Sequence, residues 1–489
     1  MELLAIDLGT TGVRAVCYGT ESGEINSAYE PIESHYPKPG WLEQDPEEWF
    51  RKSLSVAQRA AAGIPVQGIG IVCQRGTAVA WDRDSGKALA PAIGWQDQRT
   101  LARVEELNGL GIPVNTLAAC SKFEWLVQEV PAVYEAARRG VLALGTPDAW
   151  LTACFSQSSA LITDPSNAGA TGLLDNASGE WMDLAMQLFH QEPGWHMQVI
   201  PTDRVCGSTT LLTGHSEIPL AARAGDQQAA CFAHGLAPGQ AKLSLGTSGM
   251  LDVHTGSTFT EAPKGAYALP LWTLEGEPAQ FCLEGSVITV GAVVEWLKRI
   301  GLLAQVEEFS AVPWNLHAKP FFLPALQGLG TPYAAHDLRA SFSNLTLDSD
   351  RASLLQAVLS GLAQRACDLI EALDPDLSTV FLDGGVSRSD ALCQAIADLS
   401  GKTIRQSKNP EMTALGAAGL AARGLGQENF HIQQNGLGSD SRNSVKYAEY
   451  QQKESMQDVN RVRQQWREMV SERVSQDASA EAVSEQTRS

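Results

Sequence analysis

A chain of 489 residues is too long for one ordinary core, so two sizeable domains are expected. A hydrophobic fraction of 44% against 19% charged residues excludes a disordered chain, and no apolar run nears the ~20 residues that span a bilayer. The net charge of -20 argues against a nucleic-acid partner, which calls for a basic face, and leaves any anionic ligand to local devices: magnesium, backbone amides and a few cations.

Leu3 to Ile6 is a short apolar run that reaches Asp7 with no basic stretch or cleavage pattern before it, so a cytoplasmic location is expected. Asp7-Leu8-Gly9-Thr10-Thr11-Gly12 is a turn, and Arg14 to Cys17 returns as a second strand. A helix is predicted from Pro46 to Ala62, with Asp45 as its cap. A strand over Gly68 to Cys73 follows. A hairpin is then expected, with Thr77 to Trp81 returning through Asp84-Ser85-Gly86 towards Ile93. The stretch from roughly 100 to 222 reads as more helical and irregular, within the first domain. Pro238-Gly239 marks a boundary, giving expected domains at 1–237 and 238–474. Beyond it, Leu243-Ser244-Leu245-Gly246-Thr247-Ser248-Gly249 echoes the opening turn, which points to two related domains. Near the end, 443 to 473 reads as a long charged helix with apolar spots at Val459, Val462, Trp466 and Val470. Residues 475–489, rich in Ser, Ala, Gln and Glu, read as a disordered tail. The nine cysteines lack a C-x-x-C pair and the nine histidines lack ligand spacing, so reduced thiols and no built-in zinc site are expected.

Three motifs carry chemistry. In the first turn, Gly9 and Gly12 let backbone N–H groups converge on an anion, Thr10 and Thr11 add hydroxyls, Arg14 a cation, and Asp7 a carboxylate for magnesium-bound water. Alone it is equally an ordinary hairpin turn; the second LGT turn strengthens the phosphate reading. Thr379 to Leu382 runs as a strand into Gly384-Gly385 and then a helix near Ser389-Asp390, where paired glycines admit a flat ring. The Ala- and Gly-rich helix Thr413 to Ala422 is expected to pack behind it. Asp226, in Ala224-Gly225-Asp226-Gln227-Gln228, is the general-base candidate, and otherwise a helix cap.

These motifs in this order resemble the FGGY family of carbohydrate kinases, a branch of the actin/hexokinase-like (ribonuclease H-like) fold, with the likeness greatest to its glycerol kinases. The likeness spans roughly residues 3 to 425 and is carried by AIDLGTTGVRAV, GWLEQDPEEW, CQRGTAVAWDRDSGK, AIGWQDQRT, ALGTPDAWL, AGDQQAA, SLGTSG, EGSVITVGAVVEWL, FLDGGVSRSD and TALGAAGLAA. The resemblance implies an α/β fold of two related domains with a cleft between them, and ATP and Mg2+ as cofactors. It implies a small polyol or sugar as substrate, and a homodimer or homotetramer would suit the family. Asp7 then belongs to the magnesium shell together with Asp226, which is also the catalytic base. Thr10, Thr11 and Arg14 contact phosphate, and Gln227, Arg75, Gly76 and Trp95 belong to the acceptor pocket. Gly246, Thr247, Gly291, Gly384, Gly385 and Ser389 make up the rest of the nucleotide set.

Three departures from the glycerol kinases stand out. Gly76 replaces a glutamate and Leu117 a tyrosine, each of which bonds a glycerol hydroxyl, and Ser389 replaces an asparagine near the adenine. Gly76 agrees with the pentulose and hexulose kinases, and a missing side chain there is expected to make room for a longer acceptor. The expected reaction is transfer of the γ-phosphoryl of ATP to a hydroxyl of a polyol or ketose. The alternatives are phosphorylation of glycerol itself and a non-catalytic ATP-binding switch on the same fold.

Overall fold

The computed structural model describes residues 1–427 and 445–488, with side chains described to 477. The chain forms two compact units. The first holds Met1–Gly235, Leu269–Phe281 and the stretch beginning at Glu411; the second holds Leu236–Ala268, Cys282–Pro410 and the stretch from Val445. The sequence divides the chain once, between 237 and 238. The units change over beside that point, at Gly235–Leu236, and then exchange further segments.

In the first unit, β1 (Glu2–Leu8) pairs antiparallel with β2 (Gly12–Gly19), and β3 (Gly23–Pro31) follows at the edge. On its other side β1 pairs in parallel with β4 (Val66–Cys73). With β5 (Ser208–Thr209) and β6 (Ile218–Gly225) the order is β5-β6-β4-β1-β2-β3. Central strands covered on both faces read as continuous apolar runs, and Leu3, Leu4, Ala5 and Ile6 are all buried. Helix α1 (Pro46–Ala60) starts as expected: Asp45 accepts from Glu47 N at 2.9 Å and Pro46 opens the first turn. Its Trp49, Val56 and Ala57 enter the core beside β1. Helix α2 (Cys120–Glu129) and α3 (Asp226–His234) complete the scaffold that the site uses.

The second unit repeats the theme. β7 (Ala241–Leu245) makes an antiparallel hairpin with β8 (Gly249–Gly256) and a parallel pair with β9 (Thr379–Asp383). Helices α4 (Gly291–Arg299), α5 (Arg351–Leu373) and α6 (Asp390–Ser400) add their apolar faces to one core. β10 (Thr403–Ser407) continues the parallel run beside β9. The hairpin-then-parallel-strand plan shared by both units bears out the internal echo read from the two LGT turns.

The chain then returns to the first unit as α7 (Met412–Gly424). This corrects the expected packing partner of 413–422. The helix lies against α3, so close that a Cβ on Gly416 would stand 1.8 Å from the Ala229 carbonyl oxygen. β11 (Tyr447–Tyr450) and α8 (Met456–Arg488) end the described chain. The single helix expected over 443–473 is therefore a strand followed by a helix, because 447–450 pairs with β10; residues 443 and 444 lie outside the described residues. Val459, Val462, Trp466 and Val470 are buried as their spacing predicted. Arg463 joins them, its guanidinium bonded to Asp368 and Glu371. α8 also runs through most of the expected tail 475–489. Ala, Glu and Gln are good helix formers even where they build no core.

The expected hairpin near Asp84 forms. Gly86 N bonds the Asp82 carbonyl and closes the turn, Asp82 N bonds the Lys87 carbonyl, Leu89 N bonds the Ala80 carbonyl, and Ala78 and Ile93 exchange a pair of backbone bonds. On its other side, strand Val79–Asp82 pairs antiparallel with Leu142–Gly145, a partner the sequence did not announce. All nine cysteines are free thiols. No helix among the described residues is long and apolar enough to cross a membrane.

Candidate active site

The turn between β1 and β2 is closed by Gly9 N on the Gly12 carbonyl at 3.0 Å. Its outer residues are tied to neighbouring loops. The Thr10 carbonyl accepts from Gln44 Nε2 at 2.7 Å, and its hydroxyl accepts from Trp95 Nε1 at 3.1 Å. A hydroxyl that accepts one bond keeps its own proton to donate, so Thr10 stays available to a phosphate oxygen. Thr11 is exposed, with its carbonyl held by Ile32 N. Asp7 and Arg14 face each other across the hairpin register. The Arg14 guanidinium pairs with Glu411 and lies 5.3 Å from the centre of the Tyr29 ring.

Asp226 opens α3 directly after the end of β6, where the helix dipole favours a carboxylate. Its Oδ1 accepts from Gln227 N at 2.8 Å and stands 3.9 Å from Arg75 Nε. The preceding residue is fixed from below: Gly225 N donates to Ser166 Oγ at 2.8 Å. Ser166 in turn donates to Asp164, which is fully buried and also accepts from Asn167 and Thr202. A Cβ on Gly225 would stand 2.5 Å from Arg75 Cδ, so the glycine lets Arg75 lie against Asp226.

Burial first, and then the charges of Asp226 and Glu411, push the Asp7 carboxyl up to about 7, with Arg14 opposing. A buried carboxyl whose ionisation is opposed by two neighbouring carboxylates fits a divalent cation, which would relieve that cost. Among the described residues no group of three metal-ligating side chains forms a cage. In phosphate sites Mg2+ is held by one or two carboxylates plus substrate oxygens and water.

The acceptor-side residues converge. Trp95 N donates to Thr77 Oγ1 at 3.2 Å, which sets the indole beside the turn. Gly76 has φ +70°, and a Cβ there would stand 2.3 Å from the Leu117 carbonyl oxygen. This corrects the expectation that Gly76 leaves room for a longer acceptor. The space next to its Cα is filled by backbone, and glycine is required by the chain's own conformation. Leu117 itself is exposed.

In the second unit the nucleotide candidates cluster at the end of β7. Gly291 N donates to the Gly246 carbonyl at 2.8 Å, and Val290 N to the Thr247 carbonyl at 2.9 Å. Gly384, at φ +88°, sits where a Cβ would stand 2.6 Å from the Leu245 carbonyl carbon. Gly385 follows in a single 3-10 turn, Gly385–Arg388. Ser389 is buried and caps α6, its Oγ accepting from Leu392 N at 3.2 Å. Its hydroxyl oxygen is thus engaged by the helix. Sequence reasoning missed Glu411, Ser166 and Lys122. The Asp164-Pro165-Ser166 helix start was the one local signal among them.

Two family models match the chain. The N-terminal domain of the FGGY family of carbohydrate kinases matches residues 2–233, and its C-terminal domain matches residues 241–425. A glycerol kinase of Geobacter sp. (strain M21) is 36% identical over 447 residues, 87% of this chain and 90% of that protein. The structure of Plasmodium falciparum glycerol kinase with ADP superposes with a TM-score of 0.87 at 25% identity, covering 96% of this chain and 98% of the other. A gluconate kinase from Lactobacillus acidophilus shares the fold at a TM-score of 0.84 and 19% identity, covering 97% and 98%. The two-domain α/β architecture expected from the sequence is the fold of these sugar kinases.

Proposed function

The chain belongs to the FGGY family of carbohydrate kinases, ATP-dependent phosphotransferases, and from that premise we propose that it phosphorylates a hydroxyl of a small polyol or ketose with Asp226 as general base. The observation that carries this reading is the placement of Asp226. It stands at the first turn of α3, 3.9 Å from Arg75, on a backbone pinned by Ser166, in the same unit as the Asp7 turn.

Magnesium, when bound with ATP, would offset the negative charge of the phosphates. Asp7 holds its hydration shell, aided by Asp226. Thr10 and Thr11 donate to phosphate oxygens, and Arg14 contacts them while Glu411 orients its guanidinium. In the second unit, Thr247 and the backbone of Gly246 and Gly291 serve the phosphates and ribose. Gly384, Gly385 and the start of α6 at Ser389 serve the adenosine. Arg75, Trp95 and Gln227 contact the acceptor, and Asp226 aligns its hydroxyl and takes the proton late, as the O–P bond forms. In a dissociative transfer most of the rate comes from positioning and charge neutralisation.

Gly76 and Leu117 lack the two side chains with which glycerol kinases hold glycerol, so a different polyol or a ketose is the first reading. Glycerol is the second, favoured by 36% identity to a glycerol kinase over most of the chain. The test measures ADP release with a panel of polyols, ketoses and sugar acids, on the wild type and Asp226→Asn. Acceptor-stimulated release is expected. It should fall by about 10²–10⁴-fold in the variant, with ADP affinity retained. Turnover close to wild type in the variant rules out Asp226 as the base, and slow acceptor-independent release identifies a switch instead of a kinase.

A further inference from the structure

Arg75–Gly76, Trp95 and Leu117 stand on separate loops, which on the reading above surround the acceptor. One side chain joins all three. Lys122, on the first turn of α2, is completely buried. Its Nζ donates to the carbonyls of Gly76 at 3.0 Å, Trp95 at 3.2 Å and Leu117 at 3.4 Å. An ammonium has three N–H donors and no acceptor, so the three loops saturate it. The approach of the Leu117 carbonyl to the Gly76 backbone brings two of these acceptors onto the same point. Burial pulls the pKa of the Lys122 ammonium down to about 7; Asp97 favours the charged form and Arg99 opposes it, so the three carbonyls are what hold the proton in place. Arg99 is itself fixed, bonded to Asp97 and lying 3.9 and 4.6 Å from the ring centres of Trp41 and Trp125. Helix α2 is anchored in turn by Cys120 N on the Thr171 carbonyl at 2.8 Å.

We propose that Lys122 is a specificity-determining positioning residue, whose ammonium fixes the distances among the three acceptor loops and so selects acceptor length. This rests on the acceptor-site reading above. A neutral side chain of similar length frees three carbonyls that then turn to water, and the loops lose their common reference.

The experiment compares wild type, Lys122→Met and Lys122→Arg in steady-state kinetics. The acceptors are a three-carbon triol, four- and five-carbon polyols and a five-carbon ketose. Lys122→Met is expected to raise the acceptor KM at least tenfold and to narrow the kcat/KM gap between the best and poorest acceptor. KM for ATP and acceptor-independent hydrolysis should stay within twofold. Lys122→Arg keeps the charge in a planar, bulkier group and should change the ranking of acceptors with a smaller rise in KM. If Lys122→Met fails to fold, Lys122→Arg carries the same readouts. An unchanged acceptor ranking in the soluble variants overturns the proposal, as does a KM for ATP that rises in step with that for the acceptor. If no acceptor stimulates the wild type, the acceptor-site reading itself fails, a result distinct from either of these.

Discussion

The two hairpins are built on one plan but keep their charges in different places. In β1–β2 the cross-strand pair nearest the turn end with charge is Asp7 opposite Arg14, and further along the strands Ala5 faces Val16. In β7–β8 the first of these positions holds Ser244 opposite Met250, and the second holds Lys242 opposite Asp252. Lys242 and Asp252 are fully buried and paired at 2.9 Å. Charge at the turn can meet a ligand; charge drawn back into the sheet can only meet its partner. On the proposed function the shared scaffold is divided, with metal and phosphate chemistry assigned to the first turn. The second turn offers mainly backbone N–H groups held by the close approach of Gly291 and Gly384.

The comparison can be broken most forcefully at the buried pair. Lys242→Met should cost about 3–5 kcal/mol in urea unfolding, because Asp252 is left charged and unpaired, and Lys242→Met with Asp252→Leu should recover most of it. No difference between single and double variants would mean the pair is not structural. Next comes the turn itself. Asp7→Asn should lose about 3–4 kcal/mol of transition-state stabilisation in kcat/KM. Ser244→Ala, at the matching position, should stay within about twofold. Equal losses in both would erase the division of labour.

An acid titration of stability sharpens the contrast only once a third group is removed. His196 is buried between Phe123 and Trp181 with neither ring nitrogen bonded, and burial pulls its pKa down to about 4. The unfolded chain takes up a proton near pH 6.5 while the native imidazole stays neutral. The stabilising contribution is therefore complete above 6.5 and is lost as pH falls towards 4, on the order of 3 kcal/mol. His196→Phe should flatten that part of the curve. A further loss is expected at Gly384→Ala, on the nucleotide side. Its positive φ and contact with the Leu245 carbonyl should cost about 1–3 kcal/mol and weaken ADP binding, leaving acceptor preference unchanged.

Both hairpins, the Asp226 helix start and the apolar stripe of α8 were legible because each is written in a few consecutive residues. What escaped depends on residues far apart in the chain. Val79–Asp82 was legible as half of a local hairpin, but nothing nearby announces Leu142–Gly145 as its second partner. Gly76 looked like a vacated side-chain position, since the Leu117 carbonyl that occupies the space is 41 residues away. Lys122 carries no local signal at all: its meaning lies in three carbonyls on three other loops. The stretch 413–422 was read correctly as a close-packing helix, yet its small residues do not say which backbone they meet.

That helix bears on how the protein is made. Domains usually fold in the order in which the ribosome releases them. Here α3, which carries Asp226 at its start, meets α7 so closely that Gly416 admits no methyl group against Ala229. The first unit therefore cannot close its core until the residues of the second unit up to Pro410, and then α7, have been synthesised. The unit that holds β1 is completed only after Pro410 of the other unit has been made, so a nascent chain cannot brace the helix that carries Asp226 before α7 emerges.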